Sequence, residues 1–237
     1  TSTWGNITAI SESRKKAGVI WAGTDDGNIQ VTEDGGKNWR LMDKFPSLPE
    51  TSPYGVYVQR LAASKHDANT VYALFDNHKM GDFKPYVLKS TDLGRTWTAI
   101  TNNLPALGMA LSIAEDHVNP NLLFLGTEFG LYFTIDGGKK WTRLRGGLPT
   151  IPVRDLAIQE RESDLVLATF GRGFYVLDDY TPLRTLAAST FEKPAAIFPI
   201  KTSRLFTPET GKRRGFQGEN LWMSENPPYG ATFTLWL

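Results

Sequence analysis

Few side chains in this 237-residue chain combine the type and spacing that covalent chemistry requires. Asp25 and Asp26 share an Asp-Asp-Gly turn, Glu128 begins a Glu-Phe-Gly turn, and Asp82 lies in a polar insertion. Two carboxylates facing each other across a sugar, about 5–9 Å apart, can hydrolyse a glycosidic bond. Asp25 or Asp26 opposite Glu128 or Asp82 is the pairing that position allows, and nothing in the spacing establishes it. His66, His78 and His117 stand alone rather than at metal-ligand spacing, so no metal is expected. The chain has no Cys, which removes disulfides, thiolate ligands and a Cys nucleophile. Gly171-Arg-Gly173 is too short to cradle a phosphate, and no cofactor is expected. The net charge is +1, and the cluster Lys212, Arg213, Arg214 reads as a solvated turn, so nucleic acid is not an expected partner. No apolar stretch approaches the roughly 18 residues of a membrane span.

The elements that would position these residues are announced by a repeat. Thr32-Glu-Asp-Gly-Gly-Lys-Asn-Trp39, Ser90-Thr-Asp-Leu-Gly-Arg-Thr-Trp97 and Thr134-Ile-Asp-Gly-Gly-Lys-Lys-Trp141 share one pattern: Ser/Thr, any, Asp, any, Gly, any, any, Trp. The Trp residues are 58 and 44 apart, the longer gap holding an insertion near Asp76 to Pro85. Without the insertion the period matches a four-stranded propeller blade, roughly 40–45 residues. Paired β-rich runs precede each motif: Val19–Thr24 with Asn28–Val31, Val71–Phe75 with Tyr86–Leu88, and Leu122–Thr127 with Leu131–Phe133. A first strand lies upstream of each pair, at Ile7–Ile10, Val58–Ala63 and Leu111–Ala114. A fourth unit, opened by Val153–Ile158, aligns Asp178 with Asp136 but replaces Thr134, Gly138 and Trp141 by Val176, Tyr180 and Leu183. The expected fold is therefore all-β, a partial β-propeller of about four blades.

The motif has a structural reading. It falls where the third strand of a blade turns into the fourth. Asp34, Asp92 and Asp136 can accept backbone N–H bonds, Gly36, Gly94 and Gly138 supply positive φ, and Thr32, Ser90 and Thr134 add a local hydroxyl bond. Trp39, Trp97 and Trp141 then bury a large surface between neighbouring sheets. A catalytic site would need one such Asp, not three. Strand alternation puts the connection between second and third strands on the opposite face. That face gathers Asp25, Asp26, the insertion, Glu128, Phe129, Phe170 and Arg172, and insertions on a repeat array tend to mark its binding face. His78, Lys79, Asp82, Phe83, Tyr86, Phe129 and Arg172 are the expected ligand-binding rim, with Phe83 and Tyr86 able to stack on a sugar or peptide. Asp178 and Asp179 are expected to cap the exit of the last blade.

These motifs resemble the Asp-box (BNR-repeat) propellers, a superfamily that includes sialidases, xyloglucan-degrading hydrolases and the sortilin/VPS10 receptors. The resemblance is closer to large exported bacterial proteins with sortilin-like repeats, often labelled glycosyl hydrolases. It rests on Ala22 to Trp39 and on Ala168 to Arg184, and covers Trp4 to about Leu186. It implies a secreted, periplasmic or cell-surface protein. Arg154 follows Ile151-Pro152-Val153 and departs from the arginine-first motif of sialidases. Residues 1–186 are then the C-terminal blades of a propeller, 187–220 a linker, and 221–237 the first strand of a truncated β-sandwich with Ala231, Phe233, Leu235 and Leu237 on its buried face. The start without Met suggests a processed or excised piece, with upstream blades of the same parent chain as partners, although several chains could also supply the ring. The leading expectation is a module binding a protein, peptide or glycan. A glycoside hydrolase using Asp25, Asp26 or Glu128 is the alternative, and a purely structural assembly module a third.

Overall fold

The computed structural model describes residues 5–49, 55–203, 205 and 229–237, and divides into two compact units, Thr1–Arg184 and Thr185–Leu237. In the first unit, consecutive strands pair antiparallel into four separate sheets. The first sheet holds β1 (Ile7–Glu12), β2 (Ile20–Thr24), β3 (Ile29–Thr32) and β4 (Arg40–Met42). The second holds β5 (Tyr57–Ala63), β6 (Val71–Asn77), β7 (Asp82–Ser90) and β8 (Thr98–Ala99). The third holds β9 (Ala110–Glu115), β10 (Leu123–Thr127), β11 (Gly130–Thr134) and β12 (Thr142–Leu144). The fourth has three strands, β13 (Val153–Gln159), β14 (Asp164–Thr169) and β15 (Phe174–Leu177).

The middle strands are apolar without alternation because both of their faces are covered. Along β6, Val71, Ala73 and Phe75 pack with Trp21, Val31 and Met42 of the first sheet. Tyr72 and Leu74, pointing the other way, pack with Leu123, Leu125 and Trp141 of the third. Beyond the third sheet, Phe124 meets the Tyr180 ring edge-on at 5.0 Å. Ion pairs also join sheets that are not neighbours: Arg60 of β5 with Asp155 of β13 at 2.7 Å, and Glu160, just after β13, with Arg14 (2.8 Å) and Lys65 (2.9 Å), just after β1 and β5. The sheets therefore curve round a common line.

Three expectations change. The insertion is not a loop but a longer hairpin, with Asn77 opposite Asp82 across a 3-10 turn (His78–Met80) closed by Gly81 at φ 74°. Among the described residues the fourth sheet has no outer strand; instead the chain turns at Asp179, whose N–H donates to Asp164 Oδ1 (2.9 Å), and buries Tyr180. In the second unit, Leu235–Trp236 pairs with Ala196–Ile197, yet Phe233, Leu235 and Leu237 are exposed rather than buried. Two-residue strands offer no second layer to cover them. Residues 206–228, which include the end of the expected linker and the start of the expected sandwich strand, lie outside the described residues.

The three repeat tryptophans differ in burial, and the order of the sheets explains why. Each packs towards the sheet before its own. Trp141 is 3% exposed against Ile100 and its neighbours, Trp97 is half-buried against the first sheet, and Trp39, with no sheet before it, is 42% exposed. Trp141→Ala should therefore cost about 3–5 kcal/mol and Trp39→Ala under about 1 kcal/mol. Urea unfolding of the two variants measures this, and equal losses would contradict the packing order.

Candidate functional site

The two faces of the blades carry different chemistry, and the turn face is the simpler. In each repeat turn the carboxylate is consumed locally. Asp34 Oδ1 accepts from Thr32 Oγ1 (2.8 Å) and from the N–H groups of Lys37 and Asn38 (3.0 Å each), while Oδ2 accepts from Asn38 Nδ2 (2.7 Å). Asp92 is held by Ser90 Oγ (2.8 Å), Thr96 N (2.9 Å) and Thr96 Oγ1 (2.6 Å). Asp136 is held by Thr134 Oγ1 (2.7 Å) and the amides of Lys139 and Lys140. The hydroxyl in turn accepts from the glycine, as Gly94 N does to Ser90 Oγ at 2.8 Å. A Cβ on Gly94 would stand 2.3 Å from Met42 Sδ, so the close approach as well as φ 78° requires glycine.

These bonds favour the ionised acid. The Asn38 amide and backbone hold Asp34 far below the usual carboxylate range. The Thr96 hydroxyl and amide hold Asp92 at about 2. Burial pushes Asp136 up, but the Thr134 hydroxyl and the Lys140 and Lys139 amides bring it below normal. Carboxylates so engaged organise a turn and have no proton to exchange near neutral pH.

The loop face carries the expected rim. Asp25 accepts from Asn6 Nδ2 (2.8 Å), Asn6 N (2.9 Å) and Gly5 N (2.7 Å), which fastens the start of β1 and lowers its pKa, the Asn6 amide first. Asp26 accepts from the Thr24 hydroxyl. Glu128 donates its N–H to Met109 O at 3.0 Å, and its carboxylate has no partner among the described residues. Asp82 is taken by Tyr86 Oη (2.5 Å), Lys84 N (3.2 Å) and Asn77 Nδ2 (3.3 Å). No hydrogen bond joins Asp25 or Asp26 to Glu128 or Asp82. Within the insertion, Asp76 grips His78 at both N (2.9 Å) and Nδ1 (2.7 Å), and Lys79 Nζ lies 5.5 Å from the centre of the Tyr57 ring. Tyr86 is buried in the core shared with the first sheet, so it does not stack on a ligand. Burial, then the Asp82 carboxylate, pushes its phenol up. Phe83, Phe129 and Arg172 are exposed, and Phe170 lies 5.3 Å from the Arg154 guanidinium.

Two clefts open on this face. One, of about 420 Å³, is lined by Asp26, Asn28, Asp43, Lys44 and Phe45 beside the first sheet. The other, of about 310 Å³, lies between the second and third sheets, among Pro85, Leu104, Leu107, Phe129, Tyr132 and Arg143. The bond from Gly108 N to Phe83 O (3.0 Å) ties the insertion strand to the wall of the second cleft. Phe129 closes over Gly108, where a Cβ would sit 2.9 Å from its ring. Arg143 Nη2 donates to Phe129 O (2.7 Å) and Thr150 Oγ1 (3.2 Å), and forms no ion pair among the described residues. Of the rim expected from sequence, Asp26 and Phe129 line clefts and Phe83 borders one. Asp43, Tyr132 and Arg143 were not expected, and no local pattern in the sequence marks them. Among the described residues, no group of three His, Cys, Asp or Glu could hold a metal.

A further cluster also escaped the sequence reading. Asp116 is fully enclosed and accepts from Tyr180 Oη (2.6 Å), Arg184 Nε (2.8 Å), Arg184 Nη2 (2.7 Å) and the amides of Val118 and Asn119. It pins the segment that leaves the fourth sheet, whereas Asp179 caps only Thr181. Burial raises the Asp116 pKa, but Arg184 and Tyr180 outweigh it and hold the acid at about 2.

The chain folds as β-propeller blades. No family model matches it. Over 93 residues it is 30% identical to a curated relative named "Probable oligoxyloglucan-reducing end-specific xyloglucanase" from Neosartorya fischeri, covering 37% of this chain and 11% of that protein. Among solved structures, the GH74 enzyme of Niastella koreensis matches with a TM-score of 0.57 and 23% identity, over 75% of this chain and 30% of that one. YCF48 bound to D1 peptide matches with a TM-score of 0.53 and 17% identity, over 76% of this chain and 56% of that one. These likenesses establish the propeller fold, and the chain spans only part of each relative. No helix among the described residues is long and apolar enough to cross a membrane.

A depressed carboxylate stabilises the fold above its unfolded pKa, about 4, and that contribution is lost as pH falls through the folded value. Asp116→Asn should therefore lower stability at pH 7 by about 3 kcal/mol. It should also flatten the fall in stability between about pH 4 and pH 2. Urea titrations across that range check both; an unchanged acid limb would remove Asp116 from the account.

Proposed function

We propose that this chain is a binding module, exported to the cell surface, periplasm or medium, which recognises a glycan, peptide or protein through the loop face of its blades. The observation that carries this is the cleft of about 310 Å³ between the second and third sheets, where an exposed phenylalanine meets, at an apolar wall, a guanidinium that is hydrogen-bonded but has no ion pair among the described residues. Its volume is at the lower end of small-ligand sites and suits one ring or side chain. The repeat-turn carboxylates on the other face have spent their bonding capacity on their own turns. Support for a glycan comes from the xyloglucanase relative, and for a peptide from YCF48, which was solved with one.

Retention of the chain on immobilised glycans and peptides identifies the ligand class. Phe129→Ala should weaken the retained ligand at least about tenfold, with the melting temperature unchanged. Full affinity in that variant, and in one with residues 78–83 replaced by a two-residue turn, would remove the loop face from the proposal.

A hydrolase is the second reading. Asp26 and Asp43 line one cleft of about 420 Å³, so two carboxylates do share a space large enough for sugar. Turnover of a polysaccharide panel, lost in Asp26→Asn and in Asp43→Asn, would establish that reading. Turnover that survives both but vanishes in Asp25→Asn or Glu128→Gln would move the chemistry to those acids.

A further inference from the structure

The cleft between the second and third sheets selects its ligand by what its walls offer and what they lack. Leu104, Pro105, Leu107, Phe129 and Tyr132 make it apolar, and its lining holds no Asp, Glu, Asn, Gln or His side chain. Leu107 and Phe129 are exposed, as is Phe83 at its border. The polar side chains are Arg143 and two threonines. Thr127 Oγ1 donates to Gly130 O (3.0 Å), and Thr150 Oγ1 accepts from Arg143 Nη2 (3.2 Å).

Arg143 is both fixed and open. Its Nη2 donates to Phe129 O (2.7 Å) as well as to Thr150, which spends both N–H groups of that nitrogen. A Cβ on Gly130 would stand 3.4 Å from Nη2 and 3.5 Å from Nε, so the guanidinium rests against the turn that carries Phe129. The N–H groups of Nε and Nη1 have no partner among the described residues. Glu128, the nearest acid in sequence, is not part of the lining.

A fixed cation with open donors at an apolar wall complements a carboxylate carried beside an apolar group. A neutral sugar fits less well, because its hydroxyl donors would meet walls with no side-chain carboxylate or amide to accept them. A peptide's terminal carboxylate is captured by a nest of free backbone N–H groups. Here the amides of Leu104, Gly108 and Phe129 already donate to Thr101 O, Phe83 O and Thr127 Oγ1, and Pro85 and Pro105 have none.

We infer, on the basis of the loop-face reading, that this cleft takes an acidic peptide segment of a partner protein: the carboxylate of an Asp or Glu side chain pairs with Arg143, and a large apolar side chain near it in sequence enters between Leu104, Phe129 and Tyr132. The pairing is electrostatic, so it weakens with added salt.

Binding of the intact chain to an array of short peptides, blocked at both ends, tests this. Each peptide carries one Glu and one Leu or Phe, at every spacing, in a background of Ser and Gly. Peptides of a particular spacing should be retained, and their Glu→Gln counterparts should bind about tenfold more weakly. Arg143→Gln should weaken the Glu peptides by about the same factor and leave the Gln counterparts unchanged, a difference that misfolding would not produce. Lys140→Gln removes an exposed positive charge from the turn face and should change neither. Phe129→Ala should weaken both kinds of peptide alike. Equal affinity for Glu and Gln peptides, or full affinity in Arg143→Gln, overturns the inference, while a loss on Phe129→Ala in the same experiment keeps the loop face. Retention of no peptide also overturns it, and a neutral glycan then held and lost on Phe129→Ala keeps the loop face. Peptide binding that survives both Phe129→Ala and the shortened hairpin at 78–83 overturns both.

Discussion

Burial of the apolar faces between neighbouring sheets is the constraint from which the rest of this structure follows. A sheet that is apolar on two sides cannot stand in water, and β6, buried along its whole length, shows how completely that demand is met in the second sheet. The repeat satisfies it by stacking, each sheet covering the next. A buried aromatic contributes about 150–250 Å² of surface, worth roughly 4–6 kcal/mol, so the placement of one tryptophan per repeat matters to the whole array. The turn motif performs that placement. Its hydroxyl, carboxylate and glycine lock the chain between third and fourth strands, and the tryptophan then falls against the preceding sheet.

This arrangement divides the labour between the two faces. On the turn face, polar groups bond to their own turns or, like Asp116, clamp the chain where it leaves the fourth sheet. The loop face carries the connections that differ most from repeat to repeat. There the insertion lengthens a hairpin, the linker residues 104–108 lean on it, and clefts form between sheets. Even so, part of the rim is structural. Asp25 fastens β1, Asp82 is engaged by Tyr86, and Asp76 fixes His78. The proposed ligand contacts are then Phe83, Glu128, Phe129, Arg143, Arg172, Asp26 and Asp43.

Much of the fold was legible in the sequence because its signals are local. A Ser/Thr, Asp, Gly and Trp within eight residues, and continuous apolar runs upstream, report turn and strands directly. The site was less legible because its contacts are distant in sequence. Asp116 and Arg184 are 68 residues apart, and nothing near either one announces the other. Tyr86 read as a surface ring beside Phe83, yet the alternation along β7 turns it into the core. The decay of the fourth repeat was visible in the sequence, but its register was read one residue early, since Leu177 rather than Val176 stands opposite Leu165 as Thr134 does opposite Leu123. The burial of Tyr180 against Phe124 was not visible.

The central claim is that the loop face meets the ligand and the turn face only builds the blades. Hydrogen–deuterium exchange of the chain with and without its retained ligand tests this most directly. Slowed exchange confined to residues 26–28, 43–45, 78–86, 104–108 and 128–130 is the predicted result. Slowed exchange at the turns 32–38, 90–96 and 134–140, with none on the loop face, would contradict it.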